Sequence, residues 1–333
     1  MVMGHTLHAL LSPTARASSW VQSYWELRGV TAPLFLLVSG WALVASLDHR
    51  PGAARATYGR RIRRAFLLLF LGYLLRWPGW DTVHSLGWSE ALVARLFEFD
   101  ALQCIGLSLL VGATVLVLAP GNRSRALVFA MLAVGVPLVS GAMWRFVPHL
   151  PVVLRQALGS EGSHFPLFPW AGFFFAGALA AQWFRLLRSG WPQGLALAAL
   201  GAAVLAVTLR LPQDWSPTSA WLVAFRVGEG LLALAAMSFA PVRLSRRLAP
   251  VGRLSLWVYV LHLPVVYGWA GIPGLAEHVG PALELGPALL VGLGLLVISY
   301  GIARLGRWVR RLTRPWQPNP SLFRASLGDS QRV

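Results

Sequence analysis

Carboxylates are scarce in this chain and lysine is missing altogether. Only 12 Asp and Glu residues stand against 29 basic ones, and every one of those 29 is Arg. Charged residues of both signs make up 12% of the chain, too few to clothe a soluble protein of 333 residues. A single cysteine, Cys104, excludes an intrachain disulfide and a cysteine-based zinc site. The period-two alternation of an outer-membrane barrel is absent, as are a phosphate loop, a serine nucleophile elbow and a metalloprotease helix motif. His149 and His164 have no sequence partner at metal-ligand spacing, so no metal is expected.

What the chain does have is apolar length. It is 56% hydrophobic with a mean hydropathy of +0.60, and its apolar runs recur at about the 20 residues that a helix needs to cross a bilayer core. The fold class expected is all-α: a polytopic transmembrane helix bundle with the lipid bilayer as its solvent. Spans are read near residues 29–47, 64–80, 101–119, 124–143, 166–184, 192–209, 220–240, 254–271 and 285–306. The opening MVMGHTLHALL covers about 17 Å as a helix, half a membrane. It has neither the charged leader nor the small-residue cleavage site of a signal peptide, and is read as the outer half of a first helix truncated at its N-terminus.

The net charge of +17 could point to nucleic acid, but the arginines sit in short loops between apolar runs and not on one face, so no nucleic-acid partner is expected. They alternate along the chain. Arg50, Arg55, Arg60, Arg61, Arg63 and Arg64 share one loop, while the next holds Asp81, His84, Glu90, Glu98 and Asp100 against Arg95 alone. Arg123 and Arg125, Arg185 and Arg188, the group from Arg243 to Arg253, and the group from Arg304 to Arg311 then fall on the first side again. Arginine is retained on the cytoplasmic side of inner membranes. Both termini are therefore expected in the cytoplasm of a bacterial cell, with about ten crossings once the opening half-helix is counted. Residues 1–314 read as one membrane domain and 315–333, rich in proline, as a disordered cytoplasmic tail.

Ionisable side chains inside a span are costly and usually face a protein interior or a cavity. Arg226 and Glu229 lie at i and i+3 on one helix face and can pair. Such a pair either fixes helix packing or lines a site. His262 precedes Pro264, which is expected to kink its helix, and His5 lies in the opening half-helix. Each histidine alone reads as an interhelical hydrogen-bonder as readily as a base. The predicted orientation nevertheless brings His5, His262, Arg226, Glu229, Asp100, Gln103, His164 and Trp170 to one level, around a cavity suited to general-base work. On the opposite side Arg60, Arg61, Arg63 and Arg64 could hold the phosphates of a nucleotide-bearing donor, or simply anchor the chain to anionic lipid.

Five blocks resemble, in order, bacterial relatives of heparan-alpha-glucosaminide N-acetyltransferase, within the wider group of multi-spanning membrane acyltransferases. They are GVTAPLFLLVSGWALV (29–44), RRIRRAFLLLFLGYLL (60–75), DALQCIGLSLLV (100–111), FPLFPWAGFFFAGALA (165–180) and SLWVYVLHLPVV (255–266). The resemblance implies transfer of an acetyl group from acetyl-CoA to an amine or hydroxyl of a carbohydrate or glycolipid acceptor. It would make the four clustered arginines the CoA phosphate site. Relatives carry an Arg, an Asp and an Arg-Gly pair upstream of the Met-Val stretch at which this chain starts. The animal enzyme has a catalytic histidine before its second helix, and SSWVQSYWELRG here has none. His5, where relatives commonly place a histidine, is then the first candidate base and His262 the second. Glu229 or Asp100 would orient them, Gln103 would donate to the oxyanion, and Arg226, Trp170 and His164 would line the acceptor. A transporter or flippase using Arg226 and Glu229 for a polar or lipid-linked solute is the competing reading.

Overall fold

The computed structural model describes residues 1–47, 52–119, 121–185, 187 and 190–312, with backbone alone for 310–312. Arg50, Arg188 and the expected tail at 315–333 lie outside the described residues. Twelve helices carry the architecture: α1 (Val2–Leu10), α2 (Ser19–Arg28), α3 (Thr31–Ala45), α4 (Ala53–Leu75), α5 (Ala101–Leu118), α6 (Asn122–Phe146), α7 (Leu167–Phe184), α8 (Trp191–Thr208), α9 (Ala220–Ser238), α10 (Val242–Gly252), α11 (Ser255–Tyr267) and α12 (Leu285–Leu312). Short helical turns such as Trp80–Leu86, Glu90–Leu96 and Val152–Leu158 connect them.

Among the described residues seven helical stretches are long and apolar enough to cross a membrane, or eight if the bent pair α10 and α11 counts as one. The other two expected crossings are of a different kind. With nine residues, α1 spans about half a bilayer core. Helix α4 has 23 residues, but it begins well before residue 64 and takes Arg60, Arg61, Arg63 and Arg64 into its own turns. The expectation of a loop there is corrected by propensity: arginine is a good helix former, and nothing breaks the helix until Trp77, Pro78 and Gly79. The expected kink at Pro264 is also displaced. Helix α11 runs through that proline to Tyr267, and the 49° bend of this region lies between α10 and α11.

Helices α7 and α5 form the centre of the bundle, with 67% and 61% of their spans buried, whereas α6, α8 and α12 bury 22% each and present the rest outward. Helix α7 packs on α3 and on α6, α4 on α5, and α8 on α9. Two glycines bring α3 and α7 into backbone contact. A Cβ at Gly40 would stand 1.8 Å from the Phe174 carbonyl oxygen, and one at Gly177 would stand 1.9 Å from that of Leu37. The main core runs from Leu36, Leu43 and Leu68 through Ile105, Phe129 and Phe174. A second core, with Leu10, Val258, Val266 and Leu295, ties α1 to α11 and α12.

Candidate active site

A cavity of about 950 Å³ runs between α3, α4, α5, α11 and α12. Arg61, Arg64 and Ser46 line it at one extreme, and Tyr259, His262 and Met1 at the other. The helix period divides the four arginines. Arg61 and Arg64, three residues apart, share the cavity face, while Arg60 and Arg63 are exposed away from it. Arg61 is buried. Its Nη2 donates to the Leu43 carbonyl and the Ser46 hydroxyl, each at 3.5 Å, while its buried Nη1 has no hydrogen-bond partner among the described residues.

At the other extreme Val258, His262 and Val266 recur every four residues on the buried face of α11. His262 is 0% exposed. Its Nδ1 lies 2.8 Å from the Val258 carbonyl oxygen. A carbonyl can only accept, so Nδ1 carries the proton and Nε2 keeps a free lone pair. That buried Nε2 has no partner among the described residues. Buried polar groups are normally satisfied, so this imidazole nitrogen on the cavity wall is open to an atom inside the cavity.

His5 faces His262 with ring centroids 5.3 Å apart. Its Nδ1 stands 3.1 Å from the Tyr267 hydroxyl, and Tyr259 packs edge-on against both imidazoles. A second cavity of about 230 Å³ lies on the far side of His5, lined by Trp25, Arg28, Thr31 and Phe165. Met1 lines both cavities, His262 the first only and His5 the second only. The histidine pair and Met1 thus form a thin septum between two chambers.

The acidic residues gather elsewhere. Asp100 caps α5 with its side chain on the Ala101 N–H at 2.7 Å, and Gln103 completes the capping box. Arg76, at the end of α4, bridges Asp100 at 2.5 Å and Glu98 at 2.7 Å. Arg95 adds a bond to Glu98 at 2.7 Å, and His164 Nδ1 stands 3.2 Å from the same carboxylate. Burial would push the Glu98 carboxyl up. The hydrogen bond from His164 and the charges of Arg76 and Arg95 outweigh burial and hold it below the usual glutamate value. Sequence reasoning passed over Arg76. The available signal was its position, an arginine ending an apolar run on the side where arginine is otherwise rare.

These contacts redistribute the expected roles. His5 and His262 come together. Asp100 is engaged by Arg76, and Glu229 pairs with Arg226 at 2.8 Å, so neither carboxylate orients an imidazole; Tyr267 and the Val258 carbonyl do. Gln103 donates its amide N–H to the Glu98 carbonyl at 3.2 Å, and its oxygen accepts the Asp100 N–H at 3.3 Å, which leaves it committed to the helix cap. Arg226 lies against Gly29, where a Cβ would meet its Nη2 at 2.4 Å, at the edge of the smaller cavity. Trp170 lines neither cavity and packs behind Phe165, ring centroids 4.6 Å apart. His164 is exposed in the acidic cluster.

Residues 1–304 match a family model described as an acyltransferase domain, which covers all twelve helices but for the end of α12. No curated protein and no solved structure matches the chain.

Proposed function

The chain belongs to the acyltransferase domain family, and from that premise we propose that it moves an acyl group from acyl-CoA in the larger cavity to a sugar hydroxyl or amine in the smaller one. Within the family we read it as similar to the bacterial relatives of heparan-alpha-glucosaminide N-acetyltransferase, on the five blocks that run from residue 29 to residue 266. The membrane in question is the bacterial inner membrane, with the arginine-rich end toward the cytoplasm by the retention of positive charge on that side.

The observation that carries the reading is the free, buried Nε2 of His262 at a septum with a chamber on either side. A volume of about 950 Å³ suits an extended acyl-pantetheine arm and lies at the upper end of ordinary ligand cavities. Arg61 and Arg64 are placed to take the donor's phosphates, and the unused Nη1 of Arg61 is a donor waiting for an acceptor oxygen. In the reaction the acceptor oxygen or nitrogen attacks the thioester carbonyl carbon as its proton passes to His262 Nε2. His5, held by Tyr267, positions the attacking group. The Tyr259 hydroxyl, beside His262 on the cavity wall, donates to the oxyanion in the place first given to Gln103. The C–S bond then breaks, and the departing thiolate recovers the proton from the imidazolium. Products are the acylated acceptor and the free thiol.

The test uses purified protein and native-cell membranes with [14C]acetyl-CoA. Acetyl-CoA should raise the melting temperature of the protein, and label should pass to envelope glycan in step with thiol release. His262→Asn keeps a donor for the Val258 carbonyl but removes the base, and His5→Ala empties the other side of the septum. Both should abolish labelling at normal protein abundance. Unchanged labelling in both, or no effect of acetyl-CoA on the wild type, would sink the reading.

A further inference from the structure

Arg28 is the cation that the transfer scheme leaves without a task. It closes α2, is half-buried, lines the smaller cavity beside His5, and stacks its guanidinium over Trp25 at 4.8 Å from the ring centroid. No carboxylate pairs with it among the described residues. Glu26, two residues away, is exposed, and residues at that spacing do not face each other on a helix. The titratable groups within its electrostatic reach are the Met1 amino group, His5, His8 and Tyr267, none of them a carboxylate. Its place is fitted to α1: a Cβ at Gly4 would stand 2.3 Å from Arg28 Nε, so the glycine leaves room for the guanidinium where it now lies. Arg226, which lies against Gly29 at the same rim, is by contrast paired with Glu229.

An unpaired guanidinium at membrane depth is retained where a ligand answers it. We infer that the acceptor is an anion: a sugar or glycan headgroup that bears a carboxylate or phosphate, which Arg28 holds while the attacking group meets His5. The inference rests on the acyl-transfer reading and narrows it. The chamber supports the same class. Its volume of about 230 Å³ equals that of about eight water molecules, room for one ring or headgroup.

The experiment labels native-cell membranes with [14C]acetyl-CoA in the presence of wild type, Arg28→Gln, Arg28→Lys and Gly4→Ala, and passes the labelled product over an anion exchanger at neutral pH. The expected result is a labelled product that the exchanger retains. Arg28→Gln should lower labelling tenfold or more at unchanged KM for acetyl-CoA, Arg28→Lys should recover part of it, and Gly4→Ala, which shifts the guanidinium without removing it, should lower labelling less than Arg28→Gln does. Amidation of carboxylates and mild acid cleavage of phosphodiesters, applied separately, distinguish the two sources of charge by which one abolishes retention. Label in an unretained product overturns the inference while leaving acyl transfer standing, and so does full labelling by Arg28→Gln. No label transfer by wild type at all is the failure of the transferase reading itself.

Discussion

The acidic cluster around Arg76 and the histidine pair around His262 are both buried polar groups in an apolar bundle, and they are finished to different standards. At the cluster Arg76 answers Glu98 and Asp100, Arg95 and His164 answer Glu98 again, and Asp100 and Gln103 close the helix end between them. At the pair, one nitrogen of His262 is fixed and the other is left open, and across the larger cavity Arg61 likewise holds one N–H without a partner among the described residues. Complete satisfaction is what a structural network needs, because a half-satisfied one is worse than an apolar core. Incomplete satisfaction on a cavity wall is what a reacting site needs. The comparison separates groups whose bonding is complete from groups that, on the proposed reading, wait for a ligand, although both drew attention for the same reason.

Four measurements can break that separation. The largest effect is expected from His262→Asn, which should lower the transfer rate by about 10²-fold to 10⁴-fold, the usual worth of a general base, with little change in melting temperature. Arg76→Met should do the reverse. It leaves two buried carboxylates without their main partner and should remove about 3 kcal/mol of stability in detergent thermal melts, while any protein that remains folded keeps its KM for acetyl-CoA. If His262→Asn unfolds the protein and Arg76→Met only slows it, the two regions have been assigned the wrong way round. Third, Arg61→Gln should raise the KM for acetyl-CoA by about tenfold, as the loss of one charge-assisted contact does, and Arg60→Gln should leave it within twofold. Equal effects would show that the arginines act as a general positive field.

The smallest effect concerns pH. The folded-state carboxyl of Glu98 is held below its ordinary value, so its ionisation stabilises the fold fully above the unfolded glutamate pKa, and that contribution is lost as pH falls through the lowered folded value. Melting temperature should therefore decline below about pH 4.5, and Glu98→Gln should flatten that decline while starting lower at pH 7. A decline of the same size in the variant would assign it to other carboxylates.

The bundle was legible because its signal is long and redundant. Eighteen or more apolar residues between arginine groups admit few alternatives, and the bounds of α5, α7, α8 and α9 fall within a few residues of those read from sequence. The site was legible in part, for reasons that can be named. Membrane-depth arithmetic placed His5 and His262 at one level, and the fold sets their rings side by side. The same arithmetic has no azimuth, so it grouped them with Asp100, Gln103 and Glu229, whose partners lie on other faces. It also treated four arginines as one feature, when the helical period turns two toward the cavity and two away. Arg76 and Arg28 escaped because loop-charge counting treats an arginine as a topology marker and does not ask what answers its charge.

The septum has a consequence for the membrane as well as for the reaction. A chain with an opening on each side of a bilayer becomes a leak wherever the openings join, and a continuous polar path would short-circuit the ion gradients on which the cell depends. Here Met1, which precedes α1, His5 of α1 and His262 of α11 stand between the two cavities. On the proposed reading, the side chains that bring donor and acceptor together are also the ones that must keep the two cavities from joining.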